Sequence, residues 1–208
     1  MRIWVVLIFL CSVTFTEAHP VSYKGALGVM TWSQPWLSDY WVTYSFEPNL
    51  AIAARIMRMD MNEGKLKVYL PQADYLVKRW NEKNFQANIY SYIGGGLVTL
   101  NGKNGSAGIA GIEADAESRS LFAEVKSEWM RTSFGSSFDH YEIRVGFAPY
   151  EAEFNEIASW LMIQYQHHQQ LLRQNAVTPL GRFFYRNVLF EVGMSLDGDS
   201  MVNLMFHF

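Results

Sequence analysis

Apolar and polar residues alternate with a period of two along most of the chain. Tyr40, Val42, Tyr44 and Phe46 alternate with Asp39, Trp41, Thr43 and Ser45, and Leu66, Val68 and Leu70 with Lys65, Lys67 and Tyr69. The pattern returns in Phe85, Ala87 and Ile89, in Leu121, Ala123, Val125 and Trp129, in Tyr141, Ile143, Val145 and Phe147, and in Val188, Phe190, Val192 and Met194. Successive side chains of a strand point to opposite faces, so each run predicts a two-faced strand. One segment fits a second template. In Ala152–Ile163, the residues Phe154, Ile157, Ala158, Leu161 and Met162 also form a helical face. The alternation through Ile157, Ser159, Leu161, Ile163 and Tyr165 is comparable, and the segment is read as a strand.

Turn signals separate the runs: Gln34-Pro35, Glu47-Pro48-Asn49, Asn62-Glu63-Gly64, Asn81–Asn84, Asn101–Gly105, Glu117–Arg119, Gly135–Ser137, Pro149-Tyr150 and Asp197–Asp199. The longest break runs from Gln169 to Thr178 and is read as a loop or single helical turn. Roughly eleven runs emerge, whereas a sheet of antiparallel neighbours that closes on itself takes an even number. One boundary is therefore misplaced. The suspects are Leu180–Ser195, which can bend near Arg186-Asn187, and Lys65–Trp80, whose phase slips after Pro71. Spanning strands of ~10 residues favour twelve, with ten as the alternative.

The N-terminus bears on compartment. Met1-Arg2 is followed by an apolar run from Ile3 to Val13 and then by Thr16-Glu17-Ala18. The run is too short for a membrane helix of ~20 residues and has the form of a secretory signal peptide cut near Ala18. The expected domains are a leader, 1–18, and a single domain, 19–208. Leu10 is too large for a lipid-attachment pattern at Cys11, the chain's one Cys. The mature chain is thus expected to lack disulfides and thiolate metal sites, which suits an oxidising compartment. With 17 Lys and Arg against 20 Asp and Glu, the net charge of −3 gives no basic surface for nucleic acid.

The last strand, Met201–Phe208, sets Val202, Leu204, Phe206 and Phe208 on one face and Asn203 and His207 on the other. Soluble domains usually end in frayed polar residues. A leader, repeated two-faced strands and a last strand in phase with Phe208 resemble the bacterial outer-membrane β-barrel proteins. That resemblance implies an all-β fold, a closed antiparallel transmembrane β-barrel with short turns, located in the outer membrane. It implies that Val202, Leu204, Phe206 and Phe208 form the signal read by the barrel assembly machinery. The implied surroundings are outer-membrane lipid and lipopolysaccharide.

Alternation alone does not say which face is wet, since a soluble barrel turns its apolar face inward and a membrane barrel turns it outward. Rings near the ends of runs (Trp32, Trp36, Tyr40, Trp80, Trp129, Tyr150 and Tyr165) suit the two interfaces of a bilayer. Arg58 falls among outward residues, at the end of its run, where a charge on the lipid side costs little.

With the polar faces inward, the lumen candidates are Arg55, Lys65, Lys67, Glu113, Asp115, Glu124, Lys126, Glu128, His140, Glu142, Arg144 and Glu191. Glu124, Lys126 and Glu128 form one row, and His140, Glu142 and Arg144 form another on the next strand, so opposite charges can pair across the ladder. Two readings stay open: a plug of ion pairs, or a small channel whose charges set selectivity. His167 and His168, adjacent on a strand, point to opposite faces and do not chelate one metal together. No metal site and no cofactor is implied. Asp139-His140 and Ser136-Ser137 lie close in sequence, but no hydrolase motif accompanies them. Gly94-Gly95-Gly96 lacks the Lys and the helix of a phosphate loop, and suits close strand approach instead. The expected function is a porin-like channel or structural barrel and not an enzyme. The alternatives are an outer-membrane lipid- or peptide-hydrolysing enzyme, and a soluble barrel holding an apolar ligand.

Overall fold

The structure, a computed structural model, describes residues 20–208 apart from 154 and 172. The leader with its cut near Ala18, Cys11 and His19 lie outside the described residues. Twelve strands follow one another: β1 (Leu27–Gln34), β2 (Leu37–Glu47), β3 (Leu50–Met61), β4 (Gly64–Glu82), β5 (Phe85–Leu100), β6 (Lys103–Ser118), β7 (Leu121–Thr132), β8 (Ser137–Phe147), β9 (Ala158–His168), β10 (Asn175–Tyr185), β11 (Val188–Met194) and β12 (Ser200–His207). Each pairs antiparallel with its neighbours in sequence, and β1 pairs with β12, so the sheet is a closed barrel of twelve. The misplaced boundary is the one at Arg186-Asn187. These two residues form the β10–β11 turn, with Arg186 at φ 55°.

Two sequence expectations are corrected. Ala152–Ile163 is not a strand throughout: residues 148–157 form the longest connection and β9 starts only at Ala158. Pro149 has no N–H to give a ladder, and the Tyr150 hydroxyl donates to the Ile157 carbonyl at 2.7 Å, folding the segment on itself. Conversely, the break at Gln169–Thr178 is shorter than expected. β10 begins at Asn175, whose neighbour Ala176 is buried and opens the inward row.

Lys65–Trp80 is one strand. Pro71 sits inside it, on the outer face, opposite Gly95 in register. The missing N–H of Pro71 and the triple glycine belong together. A Cβ on Gly96 would collide with the Tyr69 carbonyl and with Leu70, so β4 and β5 come close only because Gly96 has none. The phase of β4 slips later, at a bulge between Leu76 and Lys78. At the β5–β6 turn, Asn101 and Gly102 both hold positive φ, 49° and 84°, as a two-residue hairpin turn requires.

The two faces are chemically opposite. Outward residues are exposed and apolar over a broad band: Ile93 is 67% exposed, Leu97 69%, Val125 52%, Ile143 50%, and Leu161 and Ile163 55% each. Buried within lie Asp39, Arg55, Asp74, Glu113, Asp115, Glu128, Glu142, Arg144 and Glu191. Of the expected interface rings, Tyr40, Trp80, Trp129, Tyr150 and Tyr165 face outward. Trp32 and Trp36 do not. Trp32 faces inward, its ring 5.5 Å from that of Trp41. Trp36 is buried inside, because the β1–β2 turn folds it over the end of the barrel.

Candidate functional site

The interior is the candidate site, and it is built in two tiers. β1 begins and β12 ends at one rim, the near rim; the opposite end is the far rim. In mid-barrel a charged tier crosses the lumen. The β3–β4 register sets Arg55 beside Leu70 and on the face of Gln72, and its guanidinium reaches both walls. Arg55 Nη2 donates to Asp39 Oδ2 at 2.6 Å, and Nη1 donates to Glu128 Oε2 at 2.7 Å. The same guanidinium lies 4.3 Å from the Trp41 ring. The Tyr92 hydroxyl donates to Glu128 Oε2 at 2.8 Å. Lys126 stands 3.8 Å from Glu113 and within 5.3–5.8 Å of the Trp32, Trp41 and Tyr92 rings.

A second network fills the other side. Arg144 Nε lies 2.9 Å from Glu142 and Nη1 lies 3.4 Å from Glu191. Glu191 also accepts from Arg182 Nε at 2.6 Å and from Asn203 Nδ2 at 2.7 Å. A relay of amides joins the tier to β1: Gln34 Nε2 donates to Gln166 Oε1 at 2.8 Å, and Gln166 Nε2 donates to Glu142 Oε2 at 2.6 Å. Desolvated charges survive only when paired and hydrogen-bonded; here the ladder sets Arg182 beside Glu191, and closure of the ring brings Arg55 to Glu128 and Arg144 to Glu191 across the lumen.

The tier is acidic. Asp39, Asp74, Glu113, Asp115, Glu124, Glu128, Glu142 and Glu191 face inward against Arg55, Lys126, Arg144 and Arg182. Among the described residues no group of three or more His, Cys, Asp or Glu is placed to hold a metal ion.

Above the charged tier, toward the far rim, the inward face turns apolar. Met57, Met59 and Met61 of β3, Leu66, Val68 and Leu70 of β4, Val98, Ile109, Met130 and Phe138 pack with Trp36 into one buried cluster. Its last member is Leu171, 1% exposed, which belongs to the connection 169–174. That connection leaves β9 and reaches β3, which lies six strands away around a ring of twelve. It crosses the mouth. Leu171 bridges Met61, and Asn62 N donates to the Gln170 carbonyl at 3.1 Å. Arg173 fastens it to the β11–β12 connection through Asp199 at 3.0 Å. Between cap and charged tier, His168 stacks on His140 at 4.3 Å, with Trp36 edge-on at 4.7 Å. The internal void beside them measures about 30 Å³ and is lined by Trp32, Asp39, Arg55, Lys126, Glu128 and His140 among others. That is room for about two waters.

Most of the expected lumen residues are brought together here: Glu113, Asp115, Glu124, Lys126, Glu128, His140, Glu142, Arg144 and Glu191 all face inward. Lys65 and Lys67 do not. Both are exposed on the outer face near the far rim. The phase of β4 is set by Gln72 and Asp74, which join the charged tier, and two-residue periodicity then turns Leu66, Val68 and Leu70 inward with them. The sequence reading missed Asp39, Gln72, Asp74, Gln164, Gln166 and Arg182. Asp39 was legible as a polar member of an alternating strand, whereas Asp74 lies beyond Pro71, after which the sequence reading placed a phase slip. The four outward residues Val202, Leu204, Phe206 and Phe208 lie on the seam, where Phe208 exchanges two backbone hydrogen bonds with Leu27 at 2.8 and 3.0 Å.

No protein-family model and no curated protein sequence matches the chain. Solved structures do match it in shape. KdgM porin in complex with disordered oligogalacturonate has a TM-score of 0.51 at 8% identity, over 88% of this chain and 98% of that one. A second KdgM porin structure has a TM-score of 0.49 at 10% identity, over 88% and 99%. OmpT, an outer membrane protein of Vibrio cholerae in its trimer form, follows at 0.38 and 7%, over 88% and 98%.

Proposed function

The chain has the fold of the outer-membrane β-barrels, and we propose that it works as one: a porin-like channel of the bacterial outer membrane, shut at its far mouth by the strap 169–174. The observation that carries this is the inversion of the two faces. Charges are inside and a continuous apolar band is outside, an arrangement that leaves a soluble protein with far more exposed apolar surface than monomers tolerate. A lipid solvent demands it. The first solved structure above is a porin, and likeness to it supports the channel reading at the level of fold.

The strap supports closure. It spans the mouth and buries Leu171, so conduction through that mouth requires the strap to move. The excess of carboxylates beneath it favours cations. A filled lumen also suits a second reading, a purely structural barrel. Planar-bilayer recording separates the two. The channel reading expects rare, cation-selective openings from the intact chain and frequent ones after Leu171→Ser or replacement of 169–173 by a short Gly-Ser turn. If the shortened strap leaves a stably inserted barrel silent, the barrel is structural.

A further inference from the structure

The outer face at the far rim carries a row of polar side chains that the channel does not use. Antiparallel register places Ser33 beside Ser38, Ser38 beside Arg58, Arg58 beside Lys67, Lys67 beside Thr99, and Thr99 beside Asn104. The row therefore runs unbroken around six adjacent strands. Every member can donate a hydrogen bond. Two residues nearer the middle of the barrel, the same strands present Tyr40, Ile56, Tyr69 and Leu97, all exposed. The surface thus changes from apolar to cationic within one step of the pleat.

Arg58 and Lys67 are directly opposed, both exposed, and make no ion pair among the described residues. Lys65 lies two residues further out, facing Asp60. Like charges directly opposed on a ladder destabilise it. Asp60, two residues from Arg58 on the same face, forms no ion pair with either among the described residues, whereas an anion seated between them would pair with both, through charge-assisted hydrogen bonds to a guanidinium and an ammonium. The site sits at the upper edge of an apolar band, where a lipid's headgroup lies when its chains cover Tyr40, Ile56, Tyr69 and Leu97.

We propose that Arg58 and Lys67, flanked by Ser38 and Thr99, form a docking site for the phosphate of a phosphorylated lipid in the leaflet at the far rim. The proposal rests on the membrane reading. The two fail differently: a protein that does not insert into bilayers sinks both, while one that inserts but ignores lipid phosphate sinks this one.

The test uses the full chain purified in detergent, titrated with bisphosphorylated lipid A, with the same lipid stripped of phosphate, and with inorganic phosphate alone. Retention in native mass spectrometry and the shift in unfolding temperature are both read. The wild type is expected to hold the phosphorylated lipid about tenfold more tightly than the stripped one, with a raised unfolding temperature. The Arg58→Gln/Lys67→Gln protein is expected to lose that preference, yet to unfold no earlier than wild type without lipid, because the opposed charges are gone. A control, Lys78→Gln at the other rim, is expected to behave as wild type. Equal retention of both lipids by the wild type, an undiminished preference in the double variant, or binding of inorganic phosphate with no preference between lipids would each overturn the assignment.

Discussion

At the scale of single residues, Arg55 is the keystone of the interior. It is 3% exposed and paired to Asp39 and Glu128 along the two edges of its guanidinium that share Nη2. Removing one member of a buried ion cluster leaves the others uncompensated, at a cost of about 3–5 kcal/mol. Arg55→Leu is therefore expected to lower the unfolding midpoint of the detergent-solubilised barrel markedly, read as heat-modifiable mobility, and Arg55→Leu combined with Asp39→Asn and Glu128→Gln is expected to recover part of the loss. A neutral Arg55→Leu would show that these charges are not coupled. The sequence exposed such residues unevenly. Glu124, Lys126 and Glu128 were legible because their strand alternates cleanly against Ala123, Val125 and Trp129. Lys65 and Lys67 were misread because charge was equated with the lumen. Near the far rim both faces change character: the interior becomes an apolar cap and the exterior carries Arg58, Lys65 and Lys67.

At the scale of elements, strand pairing explains features that periodicity could not place. The sequence set Pro71 down as a phase slip and Gly94–Gly96 as a close approach, without linking the two. Register links them: Pro71, which cannot donate, stands opposite Gly95, and at the next pair, Leu70 with Gly96, the missing Cβ lets the strands close. Gly96→Val is expected to cost about 1–3 kcal/mol by overpacking β4 against β5. Gly95→Val, whose Cβ would stand 3.6 Å from its nearest neighbour and face outward, is expected to be tolerated. Guanidinium unfolding in detergent compares them, and equal midpoints would count against the close-approach account. Ala152–Ile163 was read as strand because Ile157 and Leu161 keep the alternation, although β9 starts only at Ala158. The Pro149-Tyr150 turn signal marks where the connection begins, and the Tyr150–Ile157 hydrogen bond, a tertiary fact, marks where it ends.

At the scale of the whole molecule, the fold was largely legible: closed, all-β and twelve-stranded, since strand length and turn frequency together leave few alternatives. The plugged mouth was not. Leu171 sits in a short polar stretch, and no local pattern says that its connection crosses the barrel to Met61. Closure of the lumen is a property of the ring, in which strands far apart in sequence come to face one another. The central claim remains that the outward face of this ring meets lipid. Because Cys11 is the chain's one Cys and lies in the expected leader, single-cysteine variants can carry a spin label at chosen sites. Labels at Val125→Cys, Ile143→Cys and Ile163→Cys in reconstituted bilayers should be relaxed by oxygen and shielded from a water-soluble nickel chelate, while a label at Gln174→Cys on the strap should meet the chelate. If the nickel chelate reaches the three outward positions as readily as the strap, that face is wet, and the barrel does not span a membrane.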